Sequence, residues 1–278
     1  MYRTIVVHVD GGGQLAPRLR VAAGLARQHG GHLVASAVTG ISQRDFLVLG
    51  SSPMAALPDG DLERLREAAT ELLRTAAVQM DGLDVPSWEQ RIVEDNAEHA
   101  LVLESRYADL LVLSRGAPAH ARLRIVTELP EYVALHCSRP VLVVPDDFAS
   151  DTVGTTVVVG WNASMEATRA VTAALPQLKL ARSVLLALIN PETLAERHGE
   201  QPGGDIALYL ARHGVNVEIV RESSNAGTAA ALLGLARDCG ADLLVAGAYG
   251  HSRYREWVAG GVTRTLLEEN TVPLLLAH

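Results

Sequence analysis

The residues best suited to chemistry are four glycines within residues 246–269, AGAYGHSRYREWVAGGVTRTLLEE. Gly247 and Gly250 follow the apolar run ADLLVAG, and Gly260 and Gly261 precede a pattern typical of a helix. Glycine lets a ligand approach the backbone closely, and the start of a helix offers unpaired N–H groups with a partial positive charge. The spacing therefore predicts a cradle for phosphate groups. The alternative interpretation is that the glycines form only a strand exit and a helix cap.

Several familiar catalytic patterns are missing from the sequence. The glycine spacing is not GxxxxGK[ST], and no GxGxxG follows the first strand of either half, so neither a P-loop nor a dinucleotide fold is indicated. The stretch GWNAS is not GxSxG, and the ten histidines show no HxxxH spacing with a partner carboxylate. We therefore predict no catalytic residues and no metal site built from the chain alone.

The composition limits the partners. The chain of 278 residues is 48% hydrophobic and 20% charged, with a formal net charge of −8 and no long basic run. Nucleic acid is not an expected partner, because phosphate contacts need clustered Lys and Arg. No stretch of about 18 apolar residues occurs, so we expect no membrane span. Two cysteines outside any CxxC pattern are typical of reduced thiols, and we expect a cytoplasmic protein.

The chain repeats itself. Asp109-Leu-Leu-Val recurs at Asp242, and Pro140-Val-Leu-Val-Val recurs as Pro273-Leu-Leu-Leu-Ala, with 133 residues between the members of each pair. The openings IVVHVDGGG and VVVGWNASM also match, but their equivalent positions lie 152 residues apart. The first half therefore contains about 19 extra residues, which we place in a long loop at 46–60.

Each half contains five short apolar runs with helical patterns between them. Strands of this kind are buried on both faces, and their alternation with helices implies right-handed crossovers and a parallel sheet. We predict an α/β fold of two tandem doubly wound domains, residues 1–149 and 150–278, each a five-stranded parallel sheet with flanking helices. The ligand crevice of such a sheet lies at the carboxyl ends of its strands, where the glycines are.

The pattern Gly247-x2-Gly250-x9-Gly260 resembles the nucleotide motif of the universal stress protein family, in which two glycines, nine residues and a Gly-Ser/Thr pair cradle the phosphates of ATP. The resemblance covers nearly the whole chain as two tandem copies. It includes the openings VHVDGG and VGWNAS, the ADLLV strand and the closing apolar strand of each half. It implies an adenine-nucleotide-binding, stress-linked cytoplasmic protein whose halves pack as an internal pseudo-dimer.

The ligand implied by this resemblance is ATP, ADP or AMP, with Mg²⁺ as a companion of the nucleotide. The implied site consists of Asn162, Ile189, Ala246, Gly247, Gly250, Gly260, Gly261, Val262 and Thr263. His251 and Arg253 are further candidates for contacting phosphate. Two positions depart from the family pattern: Gly261 replaces a Ser or Thr, and Asn162 replaces the Asp that contacts the nucleoside. Asn162 also suits a helix N-cap, and Trp161 either stacks on a base or packs at the strand end.

The first half departs further from the pattern. Ser114, Ala117, Thr127 and Glu128 stand where the second half has its four glycines, and a carboxylate at the phosphate position would repel the ligand. Asp10 keeps the acidic residue of the family but has no cradle opposite it. We interpret Asp10 as a turn or cap residue and the first half as a structural copy.

Three functional hypotheses remain open. The first is a universal stress protein whose second domain binds an adenine nucleotide as a regulatory ligand in a stress response. Hydrolysis of ATP would be weak at most, since no general base or metal carboxylate is evident beside the cradle. The second is an interaction scaffold with vestigial glycine loops, which associates with itself or a protein partner through apolar edge strands ending at Val144 and Leu276. The third is a nucleotide-using enzyme on the same fold.

Overall fold

The structure, a computed structural model, describes residues 1–50, 61–115, 129–194, 201–250 and 261–278. The elements of the first half are β1 (Thr4–Val9), α1 (Leu15–His29), β2 (His32–Val38), α2 (Gln43–Gly50), α3 (Asp61–Met80), β3 (Trp88–Val93), α4 (Ala97–Ser105), β4 (Leu110–Ser114), α5 (Leu129–His136) and β5 (Val141–Val144). Those of the second half are β6 (Thr156–Gly160), α6 (Met165–Leu178), β7 (Ser183–Ile189), a 3-10 helix (Pro191–Leu194), α7 (Gly204–Arg212), β8 (Val217–Glu222), α8 (Thr228–Asp238), β9 (Leu243–Gly247), α9 (Val262–Glu269) and β10 (Leu274–Ala277).

The strands form one ten-stranded sheet in the order β3-β2-β1-β4-β5-β10-β9-β6-β7-β8. Pairing within each half is parallel, and β5 and β10 join the halves as an antiparallel pair with Leu275 opposite Leu142. The predicted α/β fold with two doubly wound halves is confirmed. The edge strands that the scaffold hypothesis assigned to association pair with each other inside the chain, so this part of that hypothesis is wrong.

The apolar runs bury both faces of the sheet. Along β1, for example, Val7 and Val9 belong to one core cluster and Val6 belongs to the other. Helices α1, α3, α6 and α7 contribute to the first cluster, and α4, α5, α8 and α9 to the second. Helices therefore cover both faces, and the carboxyl ends of the parallel strands stay open at the sheet edge.

The repeated Asp-Leu-Leu-Val has a structural reason. The Oδ2 atom of Asp109 accepts the backbone N–H groups of Arg3 at 2.7 Å and Thr4 at 3.1 Å, at the start of β1. Asp242 accepts the equivalent two N–H groups at the start of β6. Each aspartate therefore satisfies backbone donors at the point where a neighbouring strand enters the sheet.

Part of the predicted loop at 46–60 is helical instead. Helix α2 covers Gln43–Gly50, and residues 51–60 lie outside the described part of the chain. Ser42 and Asp45 bond each other reciprocally at the start of α2, through the Asp45 N–H and both side chains. This Ser-x-x-Asp signature of a helix start precedes the apolar FLVL, and it outweighs the Gly and Pro residues that follow.

The predicted boundary between residues 149 and 150 falls in the segment between β5 and β6, and it stays a prediction. No helix within the described ranges is long and apolar enough to cross a membrane.

Candidate nucleotide site

A cavity of about 290 Å³ opens at the carboxyl edge of the second half. It lies over the ends of β6, β7 and β9 and the starts of α6, α8 and α9, where the strand order reverses between β6 and β9. The lining residues are Gly160, Trp161, Asn162, Ser164, Ala187, Ile189, Asn190, Thr193, Thr228, Leu232, Ala246, Gly247, Gly250, Val262 and Thr263. A topological switch point of this kind is where doubly wound sheets bind ligands.

The structure brings together seven of the residues that the sequence suggested for the site. They come from four separate segments, and they are Asn162, Ile189, Ala246, Gly247, Gly250, Val262 and Thr263. Gly261 immediately precedes α9 as its N-cap. Gly260, His251 and Arg253 lie outside the described residues.

One wall of the cavity is apolar. Ala187, Ile189 and Ala246 come from β7 and β9, and Leu232 comes from α8. Trp161 packs partly buried against a core cluster at the strand end and also lines the cavity, so stacking on a base stays a prediction. Small and branched side chains around such a wall leave a space suited to a flat ring.

Close packing also explains why residue 247 is a glycine. A Cβ atom there would lie 2.5 Å from the backbone nitrogen of Ala167 and 2.6 Å from the carbonyl carbon of Glu166. The end of β9 therefore touches the first turn of α6, and only glycine fits between them. At Gly250 a Cβ atom would meet the Oε2 atom of Glu166 at 2.7 Å, which is the end of a flexible side chain.

The start of α9 borders the cavity and has no side-chain cap within the described residues. Gly261 is its N-cap and supplies no side chain, and no described side chain caps the helix in its place. Thr263 is 2% exposed, and its hydroxyl accepts the backbone N–H of Tyr249 at 3.1 Å. The hydroxyl can still donate its own hydrogen. The first-turn N–H groups and the helix dipole thus favour an anion at this end of the cavity.

Asn162 is not the helix cap that its type suggested. Its Oδ1 atom accepts the N–H of Ser164 at 3.2 Å, and Ser164 is the N-cap of α6, accepting the N–H of Ala167 at 3.1 Å. The Nδ2 group of Asn162 makes no hydrogen bond within the described residues. The side chain therefore offers donors at the cavity, where the family pattern would offer a carboxylate.

Sequence reasoning missed several lining residues, namely Gly160, Ser164, Ala187, Asn190, Thr193, Thr228 and Leu232. Asn190 follows β7 with a φ of 51°, and its side chain bonds the backbone of Ser224 through both Oδ1 (2.7 Å) and Nδ2 (3.0 Å). An Asn directly after an apolar strand is a signal that could have found this position. The apolar members carry no such signal, because any buried strand or helix contains them.

Charge is sparse at the cavity. All the described lining residues are uncharged, and the nearest carboxylate identified by contact is that of Glu166 against Gly250. A nucleotide-bound Mg²⁺ is held by one or two carboxylates together with phosphate oxygens. Glu166 fits that role at the phosphate end. Within the described residues no group of three or more His, Cys, Asp or Glu could hold a metal ion.

Larger side chains occupy the equivalent positions of the first half. All of them are buried, with at most 5% exposure. The pairs, first half and second half, are His8 and Gly160, Ser36 and Ala187, Leu113 and Ala246, and Ser114 and Gly247. Ala117, Thr127 and Glu128 lie outside the described residues.

Asp10 is engaged by its own half of the chain. It accepts the Gly12 N–H at 3.1 Å, as expected of a turn residue, and Arg18 binds both its oxygens, at 2.7 and 3.2 Å. Burial opposes ionisation of Asp10, but the hydrogen bonds and charge of Arg18 outweigh it and hold the pKa of the carboxyl below its usual range. His8 lies 3.7 Å from Asp10, and its burial, followed by the charge of Arg18, lowers the pKa of the imidazole to about 4.

Within the described residues, these features define a two-part α/β protein with a cavity at the switch point of its second half and larger side chains at the equivalent strand positions of its first. The model of the universal stress protein family matches residues 1–145. This is more than half of the chain, and the chain belongs to the universal stress protein family. No curated protein matches the sequence.

Two solved structures share this fold over nearly the whole chain. A universal stress protein from Archaeoglobus fulgidus DSM 4304 is 14% identical, with a TM-score of 0.74 over 99% of this chain and 95% of its own. A putative universal stress protein from Pseudomonas aeruginosa UCBPP-PA14 is 16% identical, with a TM-score of 0.58 over 99% and 93%. A third, from Archaeoglobus fulgidus in complex with dAMP, is 20% identical, with a TM-score of 0.36 over 51% and 97%.

Proposed function

We propose that the second half binds an adenine nucleotide, ATP or the related ADP and AMP, as a regulatory ligand in a stress response. The first half is its structural partner. The observation that carries this proposal is the cavity, at which seven candidate residues from four chain segments meet at the open edge of the sheet.

In this proposal each part of the ligand has its own place in the cavity. The base lies against Ile189, Leu232 and Ala246, and the Nδ2 group of Asn162 donates to the nucleoside. The phosphates lie at the start of α9, where first-turn N–H groups and the Thr263 hydroxyl donate. Binding cavities usually measure about 300–1,000 Å³, so this cavity of about 290 Å³ holds the nucleoside and leaves the outer phosphates at its mouth.

The ligand regulates rather than reacts. Hydrolysis needs a positioned water, a base and charge neutralisation at the γ-phosphate. The lining residues that the structure describes are uncharged, and Glu166 at the proposed phosphate end is suited to hold Mg²⁺. We therefore expect ATP hydrolysis to be weak at most.

Calorimetric titration with ATP, ADP, AMP and adenosine tests the proposal. Gly160→His places in β6 the side chain that fills the equivalent position of β1. In β6 the new Cβ atom would meet the Cδ1 atom of Leu232 at 3.1 Å. This variant should abolish binding, while His8→Gly in the first half should leave the second-half site intact. Thr263→Val should weaken ATP binding about fivefold by removing one hydrogen bond, and should leave adenosine unaffected.

Two results would overturn the proposal. One is the absence of binding for all four ligands at millimolar concentration in the folded wild-type protein. The other is binding that Gly160→His leaves unchanged. Circular dichroism of each variant separates loss of the site from loss of the fold.

A further inference from the structure

A larger cavity of about 430 Å³ lies at the junction of the two halves. Arg139, just before β5, lines one side, and Arg169, Ala173 and Pro176 of α6 line the other. Both arginines are exposed, and neither side chain makes a hydrogen bond or ion pair within the described residues. We call this space the junction groove.

Helices α1 and α6 are equivalent by the internal repeat. Residues of α1 and α6 that lie 152 positions apart in sequence are buried against the same face of the sheet. Matched pairs are Leu19 and Val171, Ala22 and Ala174, and Ala26 and Leu178. The surroundings of the two helices can therefore be compared position by position.

On α1, a second face is covered by the segment that joins the halves. We call residues 145–151, PDDFASD, the linker segment. Arg20 donates to the carbonyl oxygen of Phe148 at 3.1 Å, and Arg27 pairs with the carboxylate of Asp151 at 2.6 Å. The backbone passes so close that a Cβ on Gly24 would lie 1.8 Å from the Asp151 carbonyl oxygen. Phe148 is half-buried against the core cluster that includes α1.

Within the described residues, no chain segment like the linker covers the same face of α6, where only the Tyr2 hydroxyl reaches the Ala173 carbonyl oxygen, at 2.9 Å. Pro17, Val21 and Gly24 of α1 are buried. Their counterparts 152 positions later, Arg169, Ala173 and Pro176, line the junction groove instead. The groove is thus the counterpart on α6 of the surface that the linker segment covers on α1.

We propose that the junction groove binds an extended acidic peptide segment of a partner protein, with an aromatic residue between carboxylates as in the linker segment. Two observations select this occupant. The repeat shows a peptide of that chemistry seated on the equivalent face, and arginines hold it there. Arg139 and Arg169 supply unpaired positive charge at the groove, in a chain whose net charge is −8. Asp109 also lines the groove, but its carboxylate already accepts two backbone N–H groups at the start of β1.

The test uses the full chain and a fluorescent peptide of sequence PDDFASD, followed by anisotropy. The double variant Arg139→Gln/Arg169→Gln should weaken binding by about tenfold or more. The matched control is Arg182→Gln/Arg237→Gln, which removes two exposed arginines outside the groove and the same net charge. It should leave binding within about twofold. Ala173→Trp keeps both arginines and fills the groove, and it should also abolish binding.

Four results would overturn the proposal. The first is no peptide binding at millimolar concentration, and the second is equal weakening in the two double arginine variants. The third is equal binding by a scrambled peptide of the same composition, which would reduce the interaction to charge attraction. The fourth is displacement of the peptide by inorganic phosphate that binds as tightly as the peptide does, which would show that the groove is a site for small anions.

Discussion

Acid should destabilise the protein through His8, the residue that fills in β1 the position of Gly160 in β6. His8 is 3% exposed, and neither ring nitrogen has a hydrogen-bond partner within the described residues. Burial and the charge of Arg18 lower its pKa from the ordinary 6.5 to about 4. The folded protein therefore resists protonation of this imidazole, while the unfolded chain accepts the proton readily.

The sign of the effect follows from the direction of this pKa shift. Above pH of about 6.5 the imidazole is neutral in both states, and it adds no pH dependence to stability. As the pH falls, the unfolded chain binds the proton first, so stability is lost progressively until the folded pKa of about 4 is reached. With these two pKa values the loss is about 2 kcal/mol at pH of about 5.

Urea denaturation from neutral pH to about pH 5 measures this loss. His8→Leu replaces the titrating imidazole with an apolar side chain of similar size. Between neutral pH and pH of about 5, the free energy of unfolding of this variant should fall by about 2 kcal/mol less than that of the wild type. His213, exposed at the end of α7, provides the control, and His213→Gln should keep the wild-type pH dependence. If His8→Leu lost as much stability on acidification as the wild type, the reasoning about the buried imidazole would be refuted.

Two glycine contacts give further predictions. Gly247→Ala should destabilise the fold by about 1–3 kcal/mol, because its Cβ would press on the backbone of α6. Gly234→Ala, inside α8 with nothing within 4 Å of the added Cβ, should stabilise by about 0.5–1 kcal/mol, and equal urea midpoints for the pair would contradict this. Gly24→Ala should displace the Asp151 carbonyl oxygen from α1 and speed proteolysis between β5 and β6. A wild-type cleavage rate would show that the linker segment is not held there.

The fold was largely predictable because its signals are local or repeated. Apolar runs alternating with helical patterns indicated the parallel strands, and the repeat indicated two equivalent halves. The continuous sheet was not predictable in the same way. Whether Val141–Val144 pairs with another chain or with β10 depends on partners far along the sequence, and both strands are wholly apolar.

The site was predictable where a residue type is unusual for its position. Glycines after a strand and before a helix indicated the cradle, whereas Ala187 and Leu232 resemble any core residue. The packing contact that requires glycine at position 247 was also not predictable, because it is made with α6, about 80 residues earlier in the sequence. The two roles open to Asn162 could not be separated from sequence, because a cap depends on where the helix begins, and Ser164 is the N-cap of α6.

Equivalent positions carry larger side chains in the first half and smaller ones in the second, and this difference determines how many nucleotides we expect each chain to bind. In the first half His8, Ser36 and Leu113 are buried where the second half has Gly160, Ala187 and Ala246. Well-packed side chains that fill a site stabilise the folded state. Small residues that line a cavity do not provide this stabilisation. Under the proposed function, the second half gains stability from the nucleotide that enters this space, whereas side chains fill the equivalent strand positions of the first half. One nucleotide per chain, rather than two, is therefore the expected result.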